Sequence, residues 1–170
     1  LAQICDILVG GKVATQKFTI PEGLTLKETA KKLEEQDLGS YENYMEVFSH
    51  VEDWKTDYPF LNDPGVTSLE GFLFPNTYEV PVGYTEKQIV DFLLQQFKKY
   101  ALDELTNASD SLSFYDHMII ASIVEKECKK RDEGPLVASV IYNRLDKGML
   151  LQMDSTINYV IKEETGEVKE

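Results

Sequence analysis

The chain has 170 residues, 42% of them hydrophobic and 11% aromatic, the composition of a globular protein with room for one medium domain or two small ones. Its 30 acidic residues against 17 basic ones give a formal charge of −13, the sign of a solvated exterior and the wrong sign for a nucleic-acid surface. Two cysteines, Cys5 and Cys128, make neither a disulfide framework nor a zinc pattern, and the chain shows no membrane-spanning apolar run and no signal peptide.

In chain order, Ile4 to Val9 reads as the end of an amphipathic helix stopped by Gly10 and Gly11. Val13 to Ile20 alternates loosely, as a strand does, and Pro21-Glu22-Gly23 turns the chain. Thr25 with Glu28 three residues on has capping-box spacing, which predicts a helix running to about Asp37 and stopping near Gly39. Ser40 to Trp54 is a second amphipathic helix, with Tyr44, Val47, Phe48 and Val51 on its apolar side. The polar loop Thr56 to Thr67 is the candidate boundary. After it, Phe72-Leu73-Phe74 between Gly71 and Pro75 predicts a short turn packed on the core. Thr85 to Tyr100 is a helix with Ile89, Phe92, Leu93 and Phe97 on one face, and the sequon at Asn107 carries no weight. Ser113 opens a further helix, Pro135 starts another that ends at Gly148, and Leu150 to Thr156 is expected to be extended or irregular, with a polar tail after Ile161. These elements predict an α+β chain: a small α/β unit over residues 1–67, then a mainly helical part over residues 68–170.

The chemistry centres on Ile119 to Glu127. At roughly 100° per residue, Ile119, Ile120, Ile123 and Val124 fill an arc of about 140° with Glu127 near its middle, while Glu125 points about 200° away from Glu127. A carboxylate facing a core loses hydration and can hold a proton near neutral pH, as a general acid must. The alternative is a helix that frays after Val124, leaving Glu127 on the surface. Downstream, Arg144 shares an arc with Val137, Val140 and Ile141. It is either a snorkelling surface residue or a buried cation paired with Glu125 or Glu70, fixing the central helix. Gln152 and Asp154, two apart in an extended stretch, would share one face, where an amide beside a carboxylate suits sugar hydroxyl and acetamido groups; loop polarity alone would also place them there. His50 and His117 lack the neighbours of a metal site or triad, Cys128 has no partner base, and no glycine-rich phosphate loop occurs.

Five stretches in order, IPEG at Ile20 to Gly23, LEGFLFPNTY at Leu69 to Tyr78, ASIVEKE at Ala121 to Glu127, VASVIYNRL at Val137 to Leu145 and GMLLQMDST at Gly148 to Thr156, resemble the YceG-like family of endolytic murein transglycosylases. Ser155 stands where that family commonly has Pro, Asn76 where it commonly has Asp, and Cys128 where Ser, Thr or Ala is more usual. The resemblance implies a lysozyme-like, mainly helical catalytic core, incomplete here, preceded by a small LysM-like or adjoining unit. It also implies a catalytic role for Glu127, glycan contacts from Gln152 and Asp154, and supporting roles for Glu125, Arg144 and Glu70.

The implied reaction cuts MurNAc–GlcNAc β-1,4 bonds within peptidoglycan strands and leaves 1,6-anhydro-MurNAc ends, with no metal or organic cofactor. Its expected partners are peptidoglycan strands and the cell-wall synthesis machinery. Similar proteins carry a membrane-anchoring helix before this region and continue beyond it, so the chain is expected to be a soluble fragment of a protein held at the extracytoplasmic face of the cell membrane. A non-catalytic peptidoglycan-binding or scaffold module is the alternative. The aminodeoxychorismate lyase label sometimes attached to the family would require pyridoxal phosphate and a phosphate cradle, which the sequence lacks.

Overall fold

The computed structural model describes residues 13–102 and 111–165. The expected helix at Ile4 to Val9 and the Asn107 sequon lie outside them. The fold is α+β and mostly helical, and the chain divides into two compact units, Leu1–Glu104 and Leu105–Glu170.

In the first unit, β1 (Thr15–Ile20) and β2 (Asn76–Pro81) pair antiparallel, with Thr15 opposite Pro81 and Ile20 opposite Asn76. Alternation buries Phe18 and Ile20 of one strand and Tyr78 and Val80 of the other. Phe18 and Tyr78 face each other directly, ring centroids 5.5 Å apart, a cross-strand pair that fixes the register. β2 is an addition to the expected elements; Pro75 just before it and Pro81 at its end mask its pattern. The suggested boundary at Thr67 falls inside this unit, because β1 and β2 pair across it.

Both halves of the Thr25–Glu28 capping box form, and α1 (Leu26–Glu34) ends earlier than expected, in a turn where Asp37 adopts φ 58°. Ser40 caps α2 (Tyr41–Ser49). Instead of one helix to Trp54, the chain breaks at His50 and resumes as a 3-10 turn, Val51–Trp54, that buries Val51 and Trp54. α3 (Glu86–Tyr100) begins with a second capping box, Thr85 with Gln88. The core gathers Leu33, Tyr44, Phe48, Ile89, Leu93 and Phe97 from the three helices. The predicted turn around Phe72 packs on it: the Phe72 ring is fully buried, 5.3 Å from Phe97 and 5.8 Å from Phe60.

The second unit holds α4 (Phe114–Glu127), α5 (Gly134–Asp146) and α6 (Asp154–Thr165). Ser113 and Asp116 form a third capping box at the start of α4. Gly148, at φ 62°, ends the turn after α5: its N–H donates to Leu145 O and the Met149 N–H to Arg144 O, the paired bonds of a Schellman ending. The core is small: Ile120 and Ile123 of α4, Ile141 of α5 and Met153 of the following loop, ringed by Leu112, Val124, Val137, Tyr142 and Leu151. Among the described residues no helix is long and apolar enough to cross a membrane.

One acidic group ties α2 to α3. The Glu86 carboxylate accepts from the Ser40 N–H at 3.2 Å and from Asn43 Nδ2 at 2.9 Å. The Asn43 bond, followed by main-chain N–H groups, holds Glu86 below its usual range against the opposing effect of partial burial. Gly39 must be glycine beside it: its φ is +117°, and a Cβ there would come within 2.6 Å of Glu86 Oε1. A carboxyl with a depressed folded pKa contributes stability that is full above its unfolded value and is lost as pH falls through the folded one. Glu86→Gln should therefore shrink the difference between the urea midpoints at neutral pH and at about pH 3. An unchanged difference would show that Glu86 contributes nothing to acid sensitivity.

Candidate active site

Glu127 is the last residue of α4, and Cys128 after it is extended (φ −83°, ψ 122°), so the helix runs through Glu127 and stops there. Only Ile120 and Ile123 of the expected apolar face are buried; Ile119 is 42% exposed. The stripe therefore runs out one turn before Glu127, whose side chain lies exposed beyond the core. That corrects the expectation of a carboxyl desolvated by the core: its position at the helix end, not its face, decides its exposure. Its carboxylate is still engaged. Oε1 accepts the main-chain N–H of Ser155 at 3.2 Å. Ser155 is the second residue of α6, where main-chain N–H groups have no partner within the helix and an acidic group is favourable.

Glu125, two residues earlier, is exposed, and no ion pair joins it to Arg144. Its carboxylate lies close enough to Cys128 to act on it: partial burial, then the carboxylates of Glu133, Glu125 and Glu127, push that thiol up, keeping it protonated and unreactive at neutral pH.

Arg144 is half-buried, but its partners are carbonyls, not a carboxylate. Its NH1 donates to Leu150 O at 2.9 Å and to Leu151 O at 2.6 Å, and lies 3.4 Å from Gln152 Oε1. The expected pairing with Glu125 or Glu70 is thus corrected. The loop after Gly148 turns back on α5 and brings the carbonyls of Leu150 and Leu151 within reach of the guanidinium. Glu70 instead accepts the Leu26 N–H at 3.0 Å, at the start of α1 in the first unit.

Of the extended or irregular stretch expected over Leu150 to Thr156, the part up to Met153 is irregular and the rest is already helix α6, so Gln152 and Asp154 do not share a strand face. Gln152 adopts φ 51°, and Asp154 opens the helix, where its charge suits the dipole. Between them Met153 turns inward onto Ile120, Ile123 and Ile141. The alternation Leu151, Gln152, Met153, Asp154 carried that signal: Met153 is buried while Gln152 and Asp154 are exposed. The group that reaches Glu127 is the main chain of Ser155, which no side-chain pattern reveals. His117, buried in α4, has Nδ1 2.8 Å from Ser113 O, a structural contact.

A sequence profile of the YceG-like family matches residues 1–170. The chain belongs to the YceG-like family. It is 33% identical over 159 residues to the endolytic murein transglycosylase of Streptococcus pneumoniae R6, covering 84% of this chain and 29% of that protein. It is 33% identical over 93 residues to the endolytic murein transglycosylase of Bacillus subtilis, covering 54% of this chain and 26% of that one. A crystal structure of a yceG-like protein from Listeria monocytogenes superposes with a TM-score of 0.76 at 29% identity, over 99% of this chain and 59% of that chain. This YceG-like chain spans under a third of the length of the curated relatives it matches.

Met153 joins both helices to the loop, so Met153→Ala should destabilise by about 2–4 kcal/mol. Denaturant unfolding followed by circular dichroism measures this. A change below about 1 kcal/mol would mean that the loop packs independently of α4 and α5.

Proposed function

We propose that this chain is part of an endolytic murein transglycosylase in which Glu127 is the single acid and base, cutting MurNAc–GlcNAc β-1,4 bonds to leave 1,6-anhydro-MurNAc ends. The observation that carries the reading is Glu127 itself: an exposed carboxyl at a helix end, one oxygen tied to Ser155 N–H, in a family whose relatives bear that name. Ser155 holds Oε1, and Oε2 accepts no hydrogen bond from the described residues, so it is the oxygen that can carry a proton.

The steps balance without water. Protonated Glu127 gives its proton to the glycosidic oxygen as the C1–O bond breaks, releasing the GlcNAc 4-hydroxyl and leaving positive charge on the MurNAc ring. The 6-hydroxyl of the same sugar then attacks C1, and Glu127, now a carboxylate, takes its proton. The acid is restored and the ring closes as an anhydro end. A hydrolase would need a second carboxylate to activate water at a set separation. Gln152 and Asp154 flank the loop beside Glu127 and are the proposed glycan contacts. The substrate would be peptidoglycan strands outside the cytoplasmic membrane, with the whole protein anchored there beside the cell-wall synthesis machinery.

A second reading has its own observation. The bond to Ser155 makes Glu127 a cap for α6, which a non-catalytic glycan-binding module would also use. Glu127→Gln separates the two, because an amide oxygen still accepts from Ser155 but transfers no proton. In the full-length protein, Glu127→Gln should abolish anhydro-ended products, while Glu125→Gln should keep much of the activity. Mass spectrometry of digested strands reads this directly, since an anhydro end is lighter than a hydrolysed end by one water. Activity retained in Glu127→Gln would sink the acid assignment, and reducing ends from the wild type would sink the reaction class. Gln152→Ala and Asp154→Ala should each raise KM with little change in stability.

A further inference from the structure

The loop before α6 carries an unexpected side chain at a positive φ. Among the described residues, those with positive φ are five glycines, Asp37 and Gln152. Asp enters the left-handed region readily because its short side chain bonds locally, whereas a long side chain such as Gln enters it at a cost. The path of the loop explains the turn, since Met153 must drop into the core straight after it. It does not explain why the turn carries Gln, when Gly would adopt the same φ without strain. Strain of this kind persists where surrounding contacts fix it, and it gathers where a side chain meets a ligand.

The contacts that fix it come from Arg144. Its NH1 donates to Leu150 O and Leu151 O, holding the two peptide units before Gln152, and Gln152 Oε1 lies 3.4 Å from the same nitrogen. A guanidinium only donates and carries positive charge, so it orients the amide: turning the amide over would set NH2 against NH1, donor against donor. Oε1 therefore faces Arg144, and Nε2 is left for other partners. Gln152 is exposed, and its Nε2 donates to no described residue. Three residues further on, the main chain meets Glu127. An oriented, unused donor thus stands on the loop that reaches the proposed acid.

We propose that Gln152, with Arg144 as its positioning residue, selects the acetamido carbonyl of the glycan strand. The inference rests on the reading of the chain as part of a peptidoglycan-cutting enzyme and names what one of its glycan contacts recognises. A sugar hydroxyl can donate or accept, so it makes no demand on which way an amide faces. An acetamido carbonyl only accepts, and it matches a group that only donates. Removing the acetyl leaves an ammonium, which offers Nε2 no acceptor and brings a positive charge toward Arg144.

The test titrates the full-length protein with an N-acetylated chitin pentamer and with the same pentamer after de-N-acetylation. A cationic sugar is drawn to an acidic protein without specificity, but Gln152→Met keeps the charge and length and removes the donor, so that attraction cancels between the variants. The preference for the acetylated pentamer should fall roughly fivefold to tenfold from wild type to Gln152→Met. Arg144→Met should lose it too, and Arg144→Lys, which keeps a cation for Oε1, should retain part of it. Gln152→Gly should lose the preference while raising the urea midpoint, because it relieves the positive φ. An equal preference in wild type and Gln152→Met would overturn the assignment, and a lowered midpoint in Gln152→Gly would make the side chain a structural part of the loop. A folded Arg144→Met that keeps the preference would remove Arg144 from the recognition; should that variant lose its helical circular dichroism, the Gln152 variants decide alone. A wild type that shows the preference yet leaves no anhydro ends on peptidoglycan strands would overturn the proposed reaction and leave the recognition standing.

Discussion

The constraint that organises this chain is the supply of partners to main-chain groups at helix ends. The first N–H groups of a helix have no partner within it, and leaving them unpaired away from water costs as much as a lost hydrogen bond. Three helices meet this locally with capping boxes, Thr25 with Glu28, Thr85 with Gln88 and Ser113 with Asp116. Carboxylates from elsewhere add to the supply: Glu70 on Leu26 N–H, Glu86 on Ser40 N–H, Glu34 on Tyr41 N–H and Glu127 on Ser155 N–H. Part of the acidic excess that looks like mere surface charge is therefore structural, placed where the positive end of a helix receives it.

The same constraint explains the second unit. Among the described residues four buried side chains make the core cluster shared by α4, α5 and the following loop, and the loop between α5 and α6 would be poorly determined by packing alone. Arg144 determines it by collecting carbonyls, since a guanidinium presents several donors in a fixed plane. Hydrogen bonds from a charged donor are worth more than neutral ones, and a single NH1 serving two carbonyls holds two consecutive peptide units. Met153 completes the arrangement from the other side by burial. Polar and apolar contacts thus act on successive residues of one loop, and the position of Ser155 follows from both.

Exposure of Glu127 changes how its chemistry should be understood. In the proposed function its readiness to act comes not from sitting in the core of this unit but from an exposed position at the helix end where one oxygen stays open. A tethered carboxyl can give a proton on one side of a bond cleavage and take one back on the other, which suits a reaction whose nucleophile belongs to the substrate. Among the described residues Arg144 bonds carbonyls and not a carboxylate, which makes it a support of the loop.

Local chemistry made much of this fold legible in the sequence. The capping box at Thr25, the Ser113 and Pro135 starts, the Gly148 stop and the apolar face of Thr85 to Tyr100 depend on neighbours a few residues away, and each element formed near its expected place. The ordered motifs named the family, whereas helical spacing put Glu127 on the apolar face, an expectation that its exposure at the helix end overturns. What the sequence alone could not settle were pairings over distance. β2 depends on β1 more than fifty residues earlier, so it emerged only with the sheet. The partners of Arg144, the helix at Asp154 and the contact of Ser155 with Glu127 involve main-chain atoms, which every residue carries alike. Sequence can show which side chains are available to bond, but only the folded path of the chain decides which carbonyls and N–H groups come within reach of them.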